Sequence, residues 1–421
     1  MIWPLYILFI TGYAINHGFY TLSGILLLII AFSLFIILYF FKPKNLYVGE
    51  KKYLPFVLFY SSLLSLVLYG GLYQQNYTLI IVSFFMETII LILTILFIFK
   101  LLGNRETKVY LLIFVIQILI RVFMIISSPS PRIDVYDYLK NGALALIHGQ
   151  NPYSIHYHQF YPNVAHNIYG YGYLPSTLFV NIPFIFLFSD QRVGILFFEA
   201  ATAYLLVKFV GGRTGIYLSL IYLSSPMAGY VLEESYIESI ILFGLFAASV
   251  SYIRKQFIVS SIIFGLTLAM KQYVVLIIPF LWKLNDSLMK KLKFVFCIGL
   301  TSFIIMVPFI LWNPNDFMNI TLFAYNENLP RYEGLTIFSL LHQLVGIKYN
   351  FWIGWSIIII FYVIIWRHTI KNNLSNIFLS YFLALFVFFL FYKWAFVDHL
   401  YFVGQLIILS EAMRSKNGLF V

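Results

Sequence analysis

Apolar residues occur along this chain in long unbroken runs separated by short polar clusters; Trp3 to Ile15, Tyr20 to Phe41 and Val109 to Ser127 are early examples. One bilayer crossing takes about 20 predominantly apolar residues, and the pattern recurs throughout, so it predicts an all-α polytopic membrane protein. The first run has no basic segment before it and no small-residue cleavage site, and another run follows directly, so it reads as a retained span. Two stretches break the pattern. "STLFVNIPFIFLF" (176 to 188) is short and proline-interrupted, and is expected to dip into the membrane and return. Ile258 to Leu281 has basic loops on both sides and is expected to be a pair of short helices hinged near "MKQ", with Lys271 at the turn. Irregular backbone at membrane depth survives only where protein or a water-filled cavity covers it, so the hinge marks a cavity.

Composition supports this reading: of 421 residues, 62% are hydrophobic and 10% charged, with mean hydropathy +0.89. The net charge of +11 sits largely in short loops beside spans, such as "KPKNLYVGEKK" (42 to 52), "KLLGNRETK" (100 to 108) and "KLNDSLMKKLK" (283 to 293). That is the positive-inside bias of a membrane protein rather than the footprint of a nucleic-acid partner. The same bias puts both termini in the cytoplasm. The outer face then receives the polar stretch from about Ser128 to Tyr173, "LEESYIES" (232 to 239), residues 313 to 334 and "KWAFVDH" (393 to 399), whose carboxylates are expected to meet over one vestibule. The single cysteine, Cys297, excludes an intrachain disulfide.

Ionisable groups concentrate in "RIDVYDYLKNGALALIHGQNPY" (132 to 153). Ser130 and Pro131 read as an N-cap and first-turn pair, and the glycine of "GQNPY" as a stop, which predicts a helix over Pro131 to His148. At helical spacing Asp134, Asp137 or Tyr138, and Asn141 share one side, while Val135, Leu139, Ala143 and Leu146 share the other. Asp134, one turn from the positive helix end, is kept ionised. Charge pattern alone leaves open that these aspartates only solvate an outer loop. Arg121 lies in an apolar span, about 9 Å below its outer end at about 1.5 Å per residue, where a charge is paired, with Glu87 or Glu199, or functional.

"DVYDYLKNGALALIHGQNPY", followed at a distance by "YGYLPSTLF", resembles the first outer loop of GT-C superfamily glycosyltransferases, particularly those that use polyprenyl-phosphate sugars. "SSPMAGYVLEESYIES", "GLTLAMKQYVVLIIP", "NENLPRYEGL" and "DHLYF" are similar to further family segments in the same order, so the resemblance covers roughly residues 106 to 412. It implies a bundle of about 12–14 membrane helices, with a catalytic outer-loop helix and short broken helices. Residues 1 to 105, about four spans, stand outside the family pattern as an added module before the core of 106 to 421.

The activity implied is inverting transfer of a hexose, mannose being favoured, from a polyprenyl-phosphate carrier to a lipid-linked or cell-surface glycan. It takes place at an outward-facing site of the cell membrane, with no cofactor and no metal. Asp134 is the expected base, with Asp137 able to replace it. Lys271, Arg331 and Arg121 are the expected phosphate-binding cations. Glu234 and Glu238 are rivals for hydrogen bonds to sugar or acceptor, and His399 is a further donor to phosphate or acceptor. Tyr138, Tyr153 and Tyr173 are expected to line the substrate, where aromatic rings suit sugar stacking. The intramembrane charges keep a transporter of lipid-linked sugars open as the alternative, and the first 105 residues keep open a non-catalytic assembly subunit. "HYH" (156 to 158) lacks the cysteine or acidic spacing of a zinc site.

Overall fold

The computed structural model describes residues 2–41, 50–101, 105–158, 160, 170–323 and 330–417. The basic loop 42–49, residues 102–104 of the next one, His166 and the "NENL" segment therefore lie outside the described residues. Within them the chain forms helices joined by turns, with no strand. In chain order these are α1 (Ile2–Ala14), α2 (Leu22–Phe41), α3 (Leu54–Val67), α4 (Tyr77–Ile98), α5 (Glu106–Ser127) and α6 (Asp134–Ile147). There follow α7 (Ser176–Phe188), α8 (Arg192–Val210), α9 (Gly212–Leu223), α10 (Ala228–Glu233), α11 (Glu238–Ile253), α12 (Phe257–Leu268) and the partly 3-10 α13 (Gln272–Leu284). The last are α14 (Leu288–Trp312), α15 (Pro314–Met318), α16 (Ile337–Val345), α17 (Phe351–His368), α18 (Leu374–Phe391) and α19 (Val397–Asn417).

Seven of these (α2, α4, α5, α8, α14, α17 and α18) are long and apolar enough to cross a membrane. The protein is an all-helical multi-pass membrane protein. The larger span number expected from sequence counted shorter pieces: α1, α3 and α9 have 13, 14 and 12 residues, and α7, α11, α12 and α13 are also short apolar helices.

The helices gather into two compact units, each made of segments that alternate along the chain. Unit 1 comprises Met1–Pro129, Ala200–Glu233 and Pro330–Val421, and unit 2 Ser130–Glu199 and Glu234–Leu329.

In unit 1, α18 and α19 form the centre: Phe382, Phe386, Tyr401, Phe402 and Leu406 are fully enclosed. Phe9 of α1 meets Phe386 edge-on at 4.8 Å. α1 reaches α2 through two glycines, for a Cβ on Gly24 would lie 2.8 Å from the Gly12 carbonyl oxygen. Small residues permit this backbone approach, as they commonly do between membrane helices. The polar residues between spans cap the helix starts: Asn76, Asn350 and Asn373 accept the amides of Leu79, Ile353 and Asn376 at 3.2, 3.1 and 3.0 Å.

Unit 2 packs α6 against α7 and α11 and α14 on either side of α12. The break expected at "MKQ" is present: α12 ends at Leu268, Lys271 is extended (φ −147, ψ 138), and a 3-10 turn starts at Gln272. A helix end buried in a membrane protein leaves carbonyls that need donors. The segment before α7 supplies them, as Leu174 N and Thr177 Oγ1 donate to Met270 O at 3.0 and 3.1 Å and Ser176 N donates to Ala269 O at 2.9 Å. The hinge is thus covered by protein through backbone pairing. α7 runs through Pro183 as one helix and stops at left-handed Ser189.

Candidate functional site

Unit 2 holds Asp134, Asp137, Tyr138, Tyr153, Tyr173, Glu234, Glu238 and Lys271, while Arg121, Arg331 and His399 belong to unit 1.

The aspartate helix begins later than expected. Ile133 is extended and Asp134 is the first residue of α6, its Oδ1 accepting the Val135 amide at 2.8 Å. Pro131 and Arg132 precede the helix, so Ser130 does not cap it, and Asp134 stands at the positive end itself rather than one turn in. The faces differ as well. Tyr136 and Tyr138 are buried with Leu139 and Ala143, whereas Val135 and Leu146 are only half-buried. Tyr138, expected beside the aspartates on the polar side, instead packs edge-on against Tyr157 at 5.1 Å. Packing of the following loop overrides the helical wheel here, because Gly142 leaves room for Tyr171: a Cβ there would come within 2.6 Å of that ring.

Asp137 uses one oxygen within its own helix, accepting Asn141 Nδ2 at 2.7 Å, and the other to hold the following loop, accepting the His158 amide at 3.1 Å. The loop beyond is a cluster of neutral phenols. Tyr153 donates to Tyr173 O at 2.9 Å and Tyr157 to Pro152 O at 2.7 Å. Burial pushes the hydroxyls of Tyr153, Tyr157 and Tyr171 well above the usual phenol range; the Asp137 carboxylate adds to the effect at Tyr157. These groups therefore remain donors at any physiological pH.

The centre of the unit is a buried charge cluster at the hinge. Lys271 Nζ lies 2.5 Å from Glu238 Oε1, and Tyr273 donates to the same oxygen at 3.1 Å. The ammonium also faces the rings of Tyr173 and Tyr273 at 5.6 and 5.2 Å. Glu238 is the first residue of α11, where the helix dipole favours a carboxylate. Its Oε2 is buried and accepts no hydrogen bond among the described residues. The preceding turn carries buried Glu234 and left-handed Ser235. Gln191 ties that turn to the aspartate helix by donating to Ser235 Oγ and Tyr136 O, both at 3.1 Å. Tyr136 in turn faces the Arg192 guanidinium at 5.1 Å, and Arg192 pairs with Asp190. Tyr273, Gln191 and Tyr136 were not singled out from sequence. Tyr273 stands two places after Lys271 in the quoted motif, whereas nothing local marks Gln191.

In unit 1 the candidates occupy two places. Residues 330 to 336 run beside the 393 to 397 loop, with Arg331 N donating to Lys393 O and Leu335 N to Ala395 O at 3.1 and 2.8 Å. Arg331 pairs with Glu333 at 2.7 Å and lies over Phe396 at 4.4 Å, and His399 Nδ1 lies 2.8 Å from Asp398. Arg121 donates to Gln117 Oε1 and to Leu223 O, each at 2.5 Å. It lines a cavity of about 30 Å³ with Glu87, Ser65, Tyr69 and Tyr230. Glu233, next to the candidate Glu234, is structural: it accepts the amides of Leu72 and Tyr73 at 2.7 and 3.1 Å.

The fold and site define a helical multi-pass membrane protein with buried ion pairs. No known family, curated protein or solved structure matches the chain.

Proposed function

We propose that the chain is a GT-C-like glycosyltransferase that moves a hexose, mannose being favoured, from a polyprenyl-phosphate carrier to a lipid-linked or cell-surface glycan on the outer face of the membrane. The observation that carries this reading is the Lys271–Glu238–Tyr273 cluster, buried at a helix break and tied through Gln191 to the helix that begins at Asp134. A buried ion pair contributes little net stability against an apolar replacement, so its presence at a break points to chemistry.

In the proposed step the acceptor hydroxyl oxygen bonds to the anomeric carbon. The bond from that carbon to the phosphate oxygen breaks, and polyprenyl phosphate leaves with the electron pair. The hydroxyl proton passes to Asp134. Asp137 has the same chemistry and can replace it; its oxygens accept Asn141 Nδ2 and the His158 amide. Glu238 Oε2, buried and without a hydrogen bond among the described residues, suits a sugar or acceptor hydroxyl. Lys271 shares its charge with Glu238, so it steadies the leaving phosphate as one member of a neutral pair. Electrostatic stabilisation of that leaving group carries more of the rate than the base, because phosphate leaves readily.

The Glu87 and Arg121 cavity supports a second reading, a transporter of lipid-linked sugars, since intramembrane charges beside a cavity suit ion or substrate passage. The discriminating experiment is transfer of radiolabel from polyprenyl-phosphate-mannose into extractable glycolipid, using membranes with wild-type or Asp134→Asn protein at equal expression. Transfer by wild type alone supports the enzyme and its base. Silence of wild type with mannose, glucose and other hexose donors would turn the reading towards transport.

A further inference from the structure

At the far end of α11 from Glu238, about 24 Å away for its 16 residues at about 1.5 Å per residue, unit 2 carries an open groove. Its volume is about 430 Å³, and Phe257, Ile258, Phe294 and Phe296 line most of it. Lys290, Lys293 and Asn285 supply the polar lining. The volume falls within the range of about 300–1,000 Å³ typical of small-molecule sites. Ile258 and Phe296 are 72% and 65% exposed, so α12 and α14 present an unfilled apolar surface here. The position is held in place, because Tyr252 at the end of α11 donates to Leu284 O at 2.7 Å and to Asn285 Oδ1 at 3.2 Å.

We propose that this groove binds one membrane lipid with an anionic phosphate headgroup, its acyl chain against Phe257, Phe294 and Phe296 and its phosphate on Lys290 and Lys293. The inference is independent of the glycosyl-transfer reading. Charge complementarity selects the occupant. Lys291 follows in the same helical turn, and exposed Arg254 and Lys255 end α11, with Asp286 as the opposing charge in these two loops. An apolar slot on a lipid-facing helix pair, closed by basic side chains at one end, matches a molecule that is apolar along its length and anionic at its head. A zwitterionic lipid fills the slot equally well but lacks the net charge, and a free headgroup carries the charge but leaves the slot empty.

Cys297 lies in the groove and is the only cysteine of the chain, so its alkylation reads occupancy directly. Full-length protein in detergent would be treated with N-ethylmaleimide in the presence of dioleoyl phosphatidylglycerol, dioleoyl phosphatidylcholine or tail-less glycerophosphoglycerol, and lipid retention followed by native mass spectrometry. Phosphatidylglycerol alone is expected to slow alkylation and to be retained as one copy. Its advantage over phosphatidylcholine should fall by about five-fold for each lysine changed in Lys290→Gln and Lys293→Gln. Ile258→Trp, which fills the slot and leaves the lysines in place, should lower retention as well. Equal protection or retention of both lipids, protection by the tail-less headgroup, or retention of phosphatidylglycerol unchanged in these variants would overturn the proposal.

Discussion

In unit 2 the Lys271 ammonium meets Glu238 at 2.5 Å, with Tyr273 on the same oxygen, whereas in unit 1 Glu87 and Arg121 line a small cavity and attract each other there. Arg121 also donates to Gln117 Oε1 and to the Leu223 carbonyl, and Ser65 Oγ donates to Glu87 Oε1 at 3.4 Å, while Glu87 Oε2 accepts no hydrogen bond among the described residues. The backbone explains the difference. Glu87 and Arg121 sit in uninterrupted helices, so helix packing sets how closely their side chains approach. Lys271 sits in extended backbone between two short helices, which lets its side chain reach the N-terminus of a third. Breaking a helix at membrane depth costs hydrogen bonds, and here residues 174 to 177 restore them. The contrast separates a charge pair at a backbone break from charges carried by continuous helices.

The sharpest way to break this comparison is at the aspartate helix. Asp134→Asn should lower hexose transfer by about 10²- to 10⁴-fold with folding unchanged, measured as label transfer at matched expression. Asp137→Asn should act more weakly, through the loop at His158. Next in size is Glu238→Gln, which removes the charge that meets Lys271 Nζ and should destabilise the protein by about 3–5 kcal/mol, seen as a lowered Tm in detergent. Adding Lys271→Met should recover most of that Tm while transfer stays lost; a double variant as unstable as Glu238→Gln would mean the pair is not coupled.

Glu87→Gln sharpens the other side. It keeps the volume but removes the buried negative charge that Arg121 attracts, so stability should fall by about 1–3 kcal/mol while transfer persists. Loss of transport of a lipid-linked sugar in that variant, with Asp134→Asn unaffected, would favour the second reading. The smallest effect concerns Lys393, which burial pushes down to about 8 from 10.5. Between those values the unfolded chain holds more protons, so the stabilising change appears as pH rises from about 8 to 10.5, and the penalty is complete below about 8. Lys393→Met should flatten the Tm-against-pH curve across that window.

Much of the fold was legible because it depends on local composition. The spans of α2 and α5 and the break at "MKQ" follow from apolar run length and from flanking charge, whereas Ser176–Phe188, expected to dip and return, is one helix continuous through Pro183. The start of α6 was misplaced by three residues because Ser130–Pro131 is a valid cap signal that extended Ile133 overrides. Tyr138 was given the wrong neighbourhood, since a helical wheel carries no information on the loop that packs over it. Gln191, which joins two distant segments, left no local mark.

By itself, then, the sequence determined that this chain is helical, where its long spans run and which ionisable residues stand outside or within them. Transfer to lipid and backbone hydrogen bonding are summed over neighbouring residues. Only the tertiary structure decided that Lys271 pairs with Glu238, that Asp137 is occupied by its own loop and that Arg121 shares a cavity with Glu87. Such contacts bring together separate helices, a hinge and a helix start, or a helix and the loop after it. Each depends on ångström-scale approach between packed segments, which apolar periodicity leaves undetermined.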